Sequence, residues 1–258
     1  MPVINPEYLL RIFLVFVRIS GLIVAAPFFG HGSVPVRVKI LLGFLLSYAL
    51  VGIVPGPLPP NVEHPAALAA AVVVEVLTGL ALGYATQFIF WSVQFAGEVI
   101  GFQMGLAMAQ VYNPLEGGYA NPLGRILSLS FLIVFIMIDG HHHILRGLVT
   151  SFEVVPLAGA NVAATGPLLL KWTGALFLTA LRIASPFMIT IFLVDVTLGV
   201  FARVVPQADL FSVGLPLKLL VGLGMVAYFL QNFFPAIPNL IAQMLEDMLN
   251  LIEVLIPV

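Results

Sequence analysis

PAALAAAVVVEVLTGLALGYATQFIFWSVQFAGEVIGFQMGLAMAQVY, residues 65–112, carries just two charges, Glu75 and Glu98, in a run dominated by Ala, Val, Leu, Ile, Phe and Gly. A helix at the surface of a soluble protein keeps one face polar. This run is apolar all round, so its solvent is lipid or other protein. The rest of the chain agrees: of 258 residues, 61% are hydrophobic and 9% charged, with mean hydropathy +1.12. So few polar groups cannot cover a water-facing globule. The length reads as one all-α integral membrane domain, 1–258, with roughly six to eight helices of about 20 residues each.

Glycine and proline punctuate the hydropathy into eight blocks, 8–29, 38–54, 65–90, 91–112, 123–138, 168–200, 213–234 and 239–256. The stretch Pro55-Gly56-Pro57-Leu58-Pro59-Pro60-Asn61 lacks the donors a helix needs and belongs outside the hydrocarbon. A second breaker-rich stretch, Asn113 to Pro122, has strongly apolar neighbours on both sides. Non-helical backbone at that depth survives when it is buried in protein or lines a cavity. Gly117-Gly118 within it fits either a movable plug or a tight turn. Met1 to Glu7 lacks the basic n-region of a secretory leader, and the segment is expected to remain in the mature chain. Arg37 and Lys39 favour a cytoplasmic loop, and the Pro55 to Pro65 loop, which has no Lys or Arg, favours the opposite side.

Lone charges inside apolar runs are the main functional clue: Arg11, Arg18, Glu75, Glu98, Arg182 and Asp195. Each would cost several kcal/mol facing lipid. Arg18, Glu75, Glu98, Arg182 and Asp195 are therefore expected to pair between helices or between subunits, or to meet water. Pro186 should kink the segment that holds Arg182 and Asp195. The small-residue ladder Gly97-x-x-x-Gly101-x-x-x-Gly105-x-x-x-Ala109 places close-approach positions on one helical face, within the chain or between subunits. Gln103, Met104, Met108 and Gln110 on the same run supply hydrogen-bonding groups and adaptable thioethers, suited to a gasket or to core filling.

From Asn239 to Ile256, Asn239, Gln243, Glu246, Asp247, Asn250 and Glu253 trace a polar stripe opposite Leu240, Ile241, Met244, Leu245, Met248, Leu249 and Ile252. With no Lys or Arg in the stripe, a polar lumen or a partner protein suits it better than anionic lipid. Asp139-Gly140-His141-His142-His143 invites a metal, yet no His-x-x-x-His pair or cysteine supports one, and adjacent loop histidines are expected to meet water. The net charge of −2 and isoelectric point near 6.2 argue against nucleic acid, and cysteine is absent. No zinc-hydrolase, Walker or Ser-His-Asp pattern points to an enzyme or a cofactor.

In order along the chain stand Arg18-Ile19-Ser20-Gly21, Ala26-Pro27-Phe28-Phe29-Gly30, Val34-Pro35-Val36-Arg37-Val38-Lys39 and the run from Gly97 to Gly105. They are followed by Asn113-Pro114, Asn121-Pro122-Leu123-Gly124-Arg125, Asp139-Gly140-His141, Ser151-Phe152, Asp195, Pro206-Gln207 and Gly214-Leu215-Pro216-Leu217-Lys218. This ordered set resembles the FliR/SctT family of flagellar and injectisome export proteins. Asn113 departs from the Asp-Pro expected there. The resemblance implies a multi-pass inner-membrane subunit of a type III secretion export gate, in the flagellar basal body or the injectisome base. Its helical hairpins would pack side by side in a spiral with FliP-like and FliQ-like subunits around a channel for unfolded exported proteins, embraced by a FlhB-like partner. It also implies a plug formed by Gln110, Tyr112, Asn113, Pro114, Gly117, Gly118, Asn121 and Pro122. The rival reading is a polytopic secondary transporter of a small solute, suggested by kinked segments and intramembrane charges.

Overall fold

A computed structural model describes residues 6–30, 32, 34–59, 62–106, 121–206 and 210–257, and among them no strand occurs. The helices are α1 (Pro6–Ala25), α2 (Val36–Leu50), α3 (Pro65–Gln103), α4 (Pro122–Met137), α5 (Gly140–Val154), α6 (Gly166–Val204) and α7 (Leu210–Leu255), with a 3-10 turn at Val162–Thr165 before α6. Pro6, Pro65 and Pro122 each begin a helix, where a missing amide donor costs nothing and the fixed φ is already helical.

Among the described residues, four helices are long and apolar enough to cross a membrane, or five if α4 and α5 form one broken span. The six to eight spans expected reduce to this number because blocks 65–90 and 91–112 contribute to one 39-residue helix, α3, and blocks 213–234 and 239–256 to one 46-residue helix, α7. The 15-residue α2 is too short to span. At 1.5 Å per residue α3 is about 58 Å long and α7 about 69 Å, roughly twice a hydrocarbon core of about 30 Å. Upright spanning therefore accounts for only part of either helix.

The chain divides into two compact units. The described residues of Met1–Phe88, Asp139–Thr173 and Ile241–Val258 form the first; those of Ile89–Ile138 and Gly174–Leu240 form the second. In the first, Leu14, Ile19 and Leu22 of α1, Leu82 of α3, Ile144 and Leu148 of α5, and Leu251 of α7 are sealed from solvent. The α7 part of this unit buries Ile241, Met244 and Met248 and exposes Gln243, Glu246, Asn250 and Glu253; Asp247 accepts a hydrogen bond from Trp172 Nε1 at 3.1 Å. In the second, Val93, Ala96 and Ile100 face a core completed by Phe131, Phe135, Ala184, Phe187 and Ile237. Phe90 meets Phe131 and Phe135 edge-on at centroid distances of 4.6 and 5.4 Å, a favoured aromatic geometry.

Pro186 lies inside α6 and cannot donate to the Arg182 carbonyl one turn back. Ser185 Oγ donates to that carbonyl at 3.0 Å instead, so a hydroxyl replaces the missing amide. Gly140 and the three histidines are not a loop: they form the first turn of α5, and His142 N donates at 2.9 Å to the carbonyl of Asp139, the turn residue before it.

Candidate functional site

Arg18 and Glu75 are both 0% exposed, and everything around them follows from that. Arg18 Nε lies 2.5 Å from Glu75 Oε2, and Nη2 lies 3.0 Å from Oε1, a bidentate pair. The remaining guanidinium donors go to carbonyls: Nη1 to Ser151 at 3.0 Å and Val155 at 3.2 Å, Nη2 to Val155 and Pro156 at 3.3 Å. Ser151 belongs to the last turn of α5 and Val155 follows its end; the Ser151 carbonyl also accepts from Val155 N at 3.0 Å, and the dipole at this helix end favours a cation. Phe152 places its ring 4.5 Å from the guanidinium carbon.

Glu75 Oε1 also accepts from Ala158 N at 2.6 Å. Ala158 sits at φ 57, a left-handed conformation costing roughly 1–2 kcal/mol for a residue with a Cβ. The carboxylate holds that turn in place. One ion pair thus ties α1, α3, the end of α5 and the following turn together.

Such a short approach needs backbones without side chains between them. A Cβ added to Gly79 would collide with the Arg18 carbonyl oxygen, one on Gly21 would sit 2.8 Å from the Val76 carbonyl oxygen, and one on Gly83 would sit 2.5 Å from Ala25 Cβ. Glu75-x-x-x-Gly79-x-x-x-Gly83 is itself a four-residue ladder, the signal in the sequence that could have located this crossing.

In the second unit the glycine seam is shorter than its spacing implies. Gly97 packs against the backbone of Gly124, and Gly101 leaves room for the Asn121 side chain. Asn121 Nδ2 donates to the carbonyls of Gly97 and Glu98 at 3.1 Å, while Oδ1 caps α4 by accepting from Leu123 N at 3.1 Å. Gly105 does not continue the ladder. It has φ 80, its N donates to Phe102 O at 3.0 Å, and Leu106 N donates to Gly101 O at 2.9 Å. That is a Schellman closure, and α3 ends at Gln103 where the pattern suggested a helix to Tyr112. Met104 is fully buried against Gly222, whose absent Cβ would lie 2.5 Å from Met104 Cε.

The charges expected to meet other subunits divide into two groups. Arg18 and Glu75 satisfy each other within the chain, because the glycine crossing brings them into contact. Asp195 is paired with Lys218 at 2.5 Å rather than with Arg182, its side chain 43% exposed. Arg182 is exposed and Glu98 half-buried, and neither has an opposite charge within 4.0 Å among the described residues. Arg11 reaches the carbonyls of Val54 and Gly56 at 3.3 and 2.8 Å and so ties α1 to the loop after α2. Gln103 is half-buried at the end of α3. Met108, Gln110, Tyr112, Asn113, Pro114, Gly117 and Gly118 lie outside the described residues; of the plug set, Asn121 and Pro122 are seen, as the N-cap and first residue of α4.

Residues 9–244 match the family described as bacterial export proteins, family 1. The chain is 32% identical over 243 residues to the flagellar biosynthetic protein FliR of Bacillus subtilis (strain 168), covering 93% of each. It is 33% identical over 239 residues to the protein of that name from Escherichia coli (strain K12), covering 90% of this chain and 91% of the relative. A more distant namesake, from Aquifex aeolicus (strain VF5), is 27% identical over 222 residues, covering 86% and 85%.

Proposed function

The chain belongs to the bacterial export proteins, family 1, and from that membership we propose that it is a multi-pass inner-membrane subunit of the flagellar export apparatus, one of several chains that enclose a protein-conducting channel. The observation that carries the assembly reading is the surface of α6 and α7. In the most apolar window of each, 11% of residues are buried, against 44% in α1 and 39% in α3. These two helices also carry Arg182, Asp195 and Lys218 and are about twice as long as a hydrocarbon core is thick. Lipid alone suits neither the charges nor the length, whereas neighbouring helices and water suit both.

FliP-like and FliQ-like subunits cover those surfaces, a FlhB-like partner meets the assembly, and unfolded proteins are the cargo. Residues 113–122 act as the plug, and the 239–256 stretch presents its polar stripe to a partner or the lumen. Gln103, half-buried at the end of α3, contributes to the constriction, and Met104, packed against Gly222, anchors that helix end behind it. The chain itself works as a conduit wall and not as a catalyst.

Purification from detergent tests the reading. A gate subunit co-elutes with other small membrane proteins, and deletion of 113–121 makes cells leak ions. A chain that elutes by itself as a stable monomer or homodimer, and whose deletion variant stays ion-tight, supports the solute-transporter reading and defeats this one.

A further inference from the structure

The first turn of α5 gathers three side chains of metal-binding type. One ligand atom from each of Asp139, His141 and His142 lies within 4.8 Å of the other two. Asp139 stands at the N-cap position but makes no side-chain capping bond; its Oδ1 turns instead toward His142 Nδ1, 3.2 Å away. Two ligands bound to one zinc ion at about 2.0–2.1 Å in a tetrahedral arrangement stand roughly 3.3 Å apart, so this pair already has the required spacing.

His141 supplies the second observation. Its Nδ1 is buried and has no hydrogen-bond partner among the described residues, while one flank of the ring rests against Phe28 at a centroid distance of 6.0 Å. An imidazole nitrogen left unmatched in a buried setting is costly, and a coordinated cation satisfies an acceptor nitrogen. The side chains of Asp139 and His142 are 71% and 62% exposed, so an ion reaches these two ligands from solvent, and a rotation of the His141 ring brings the third to it.

We propose that Asp139, His141 and His142 form a three-ligand site for a borderline divalent transition-metal ion such as Zn2+, Co2+ or Ni2+, with the outer coordination positions open to water. Two imidazoles and one carboxylate suit these ions better than Mg2+ or Ca2+, which take oxygen shells, and the absence of cysteine removes the thiolate sites that soft ions favour. The ion would staple the first turn of α5 to the left-handed residue that precedes it, Asp139 at φ 58.

The test uses the full chain in detergent, with no polyhistidine tag, stripped by EDTA and titrated with CoCl2. The expected result is saturable d–d absorption at one Co2+ per chain, displaced by ZnCl2. His142→Ala and Asp139→Asn, both at exposed positions that should not disturb folding, weaken binding by at least about tenfold, and His143→Ala leaves it unchanged. His141→Gln, checked for an unaltered circular dichroism spectrum, weakens it as well. Failure of the unmodified chain to saturate, or an affinity unchanged from that of the unmodified chain in His142→Ala, Asp139→Asn or His141→Gln, overturns the proposal.

Discussion

Replacing Glu75 with Gln keeps the shape of the buried pair and removes one charge, leaving Arg18 ionised at 0% exposure with no counter-ion. Breaking a buried pair from one side costs roughly 3–5 kcal/mol, because the stranded charge keeps its desolvation penalty and loses its attraction. The geometry supports the upper half of that range. Arg18 keeps three carbonyl acceptors, but they are dipoles, and a glutamine can offer one oxygen where the carboxylate serves Arg18 twice and Ala158 once. Against a total of about 5–15 kcal/mol the loss is severe. Arg18→Met with Glu75 intact should cost about as much, since the carboxylate then retains only Ala158 N. The double variant Arg18→Met/Glu75→Met should be more stable than either single variant yet less stable than the parent, because Val155, Pro156 and Ala158 lose partners. A double-mutant cycle closed with Arg18→Met, Glu75→Met and their double variant, read as helicity lost on titration from mild detergent into SDS, should return a coupling of at least about 2 kcal/mol. Additive single effects, or a Glu75→Gln protein within about 1 kcal/mol of the parent, would refute the claim that the pair acts as a desolvated unit.

Gly101→Ala drives a methyl group into Asn121 and breaks its bonds to the Gly97 and Glu98 carbonyls; about 1–3 kcal/mol should be lost, and the same titration should show it, with Gly52→Ala, where nothing lies within 4 Å, unchanged. Ser185→Ala removes the hydroxyl that serves the Arg182 carbonyl ahead of Pro186 and should cost about 0.6–1.5 kcal/mol in the same assay. Substituting Pro186→Ala in that background restores an amide donor and should return the lost stability; a Ser185→Ala defect that persists with Pro186→Ala would show that the hydroxyl serves some other group.

What the sequence made legible was whatever depended on composition and on single residues. Apolar runs longer than a bilayer crossing can only be helices or lipid-facing, so the all-α membrane class followed. The boundaries were harder, because glycine has two opposite uses. In 97–105 the four-residue spacing looks uniform, yet Gly97 and Gly101 admit neighbours while Gly105 takes φ 80 and ends the helix. Spacing is blind to backbone sign. Proline misled in the other direction: Pro235 and Pro238 suggested a break between 213–234 and 239–256, but α7 passes through both. The pairing of Arg18 with Glu75 was out of reach for another reason. The residues are 57 positions apart, and what joins them is a crossing set by Gly21, Gly79 and Gly83, read correctly only once two helices are known to touch. The loop expected at the histidine run gives way to helix because the left-handed φ of Asp139 lets the chain enter α5 at once.

The distribution of charge then separates what the chain needs for itself from what it offers to others. An ion pair with every guanidinium hydrogen directed to an acceptor gains nothing from a partner subunit, so the Arg18–Glu75 centre can form whether or not any neighbour is present. The second set behaves oppositely. Asp195 and Lys218 are paired but 43% and 25% exposed, Arg182 is exposed without an acidic partner among the described residues, and all three sit on helices whose apolar surface is largely uncovered. An exposed pair in water contributes about 0–1 kcal/mol, but the same pair enclosed by apolar helices becomes costly to break. Assembly would therefore change the value of these residues without changing their geometry. A substitution at Asp195 that is almost silent in the isolated chain should matter once other subunits enclose it, and a substitution at Glu75 should be equally harmful in both states.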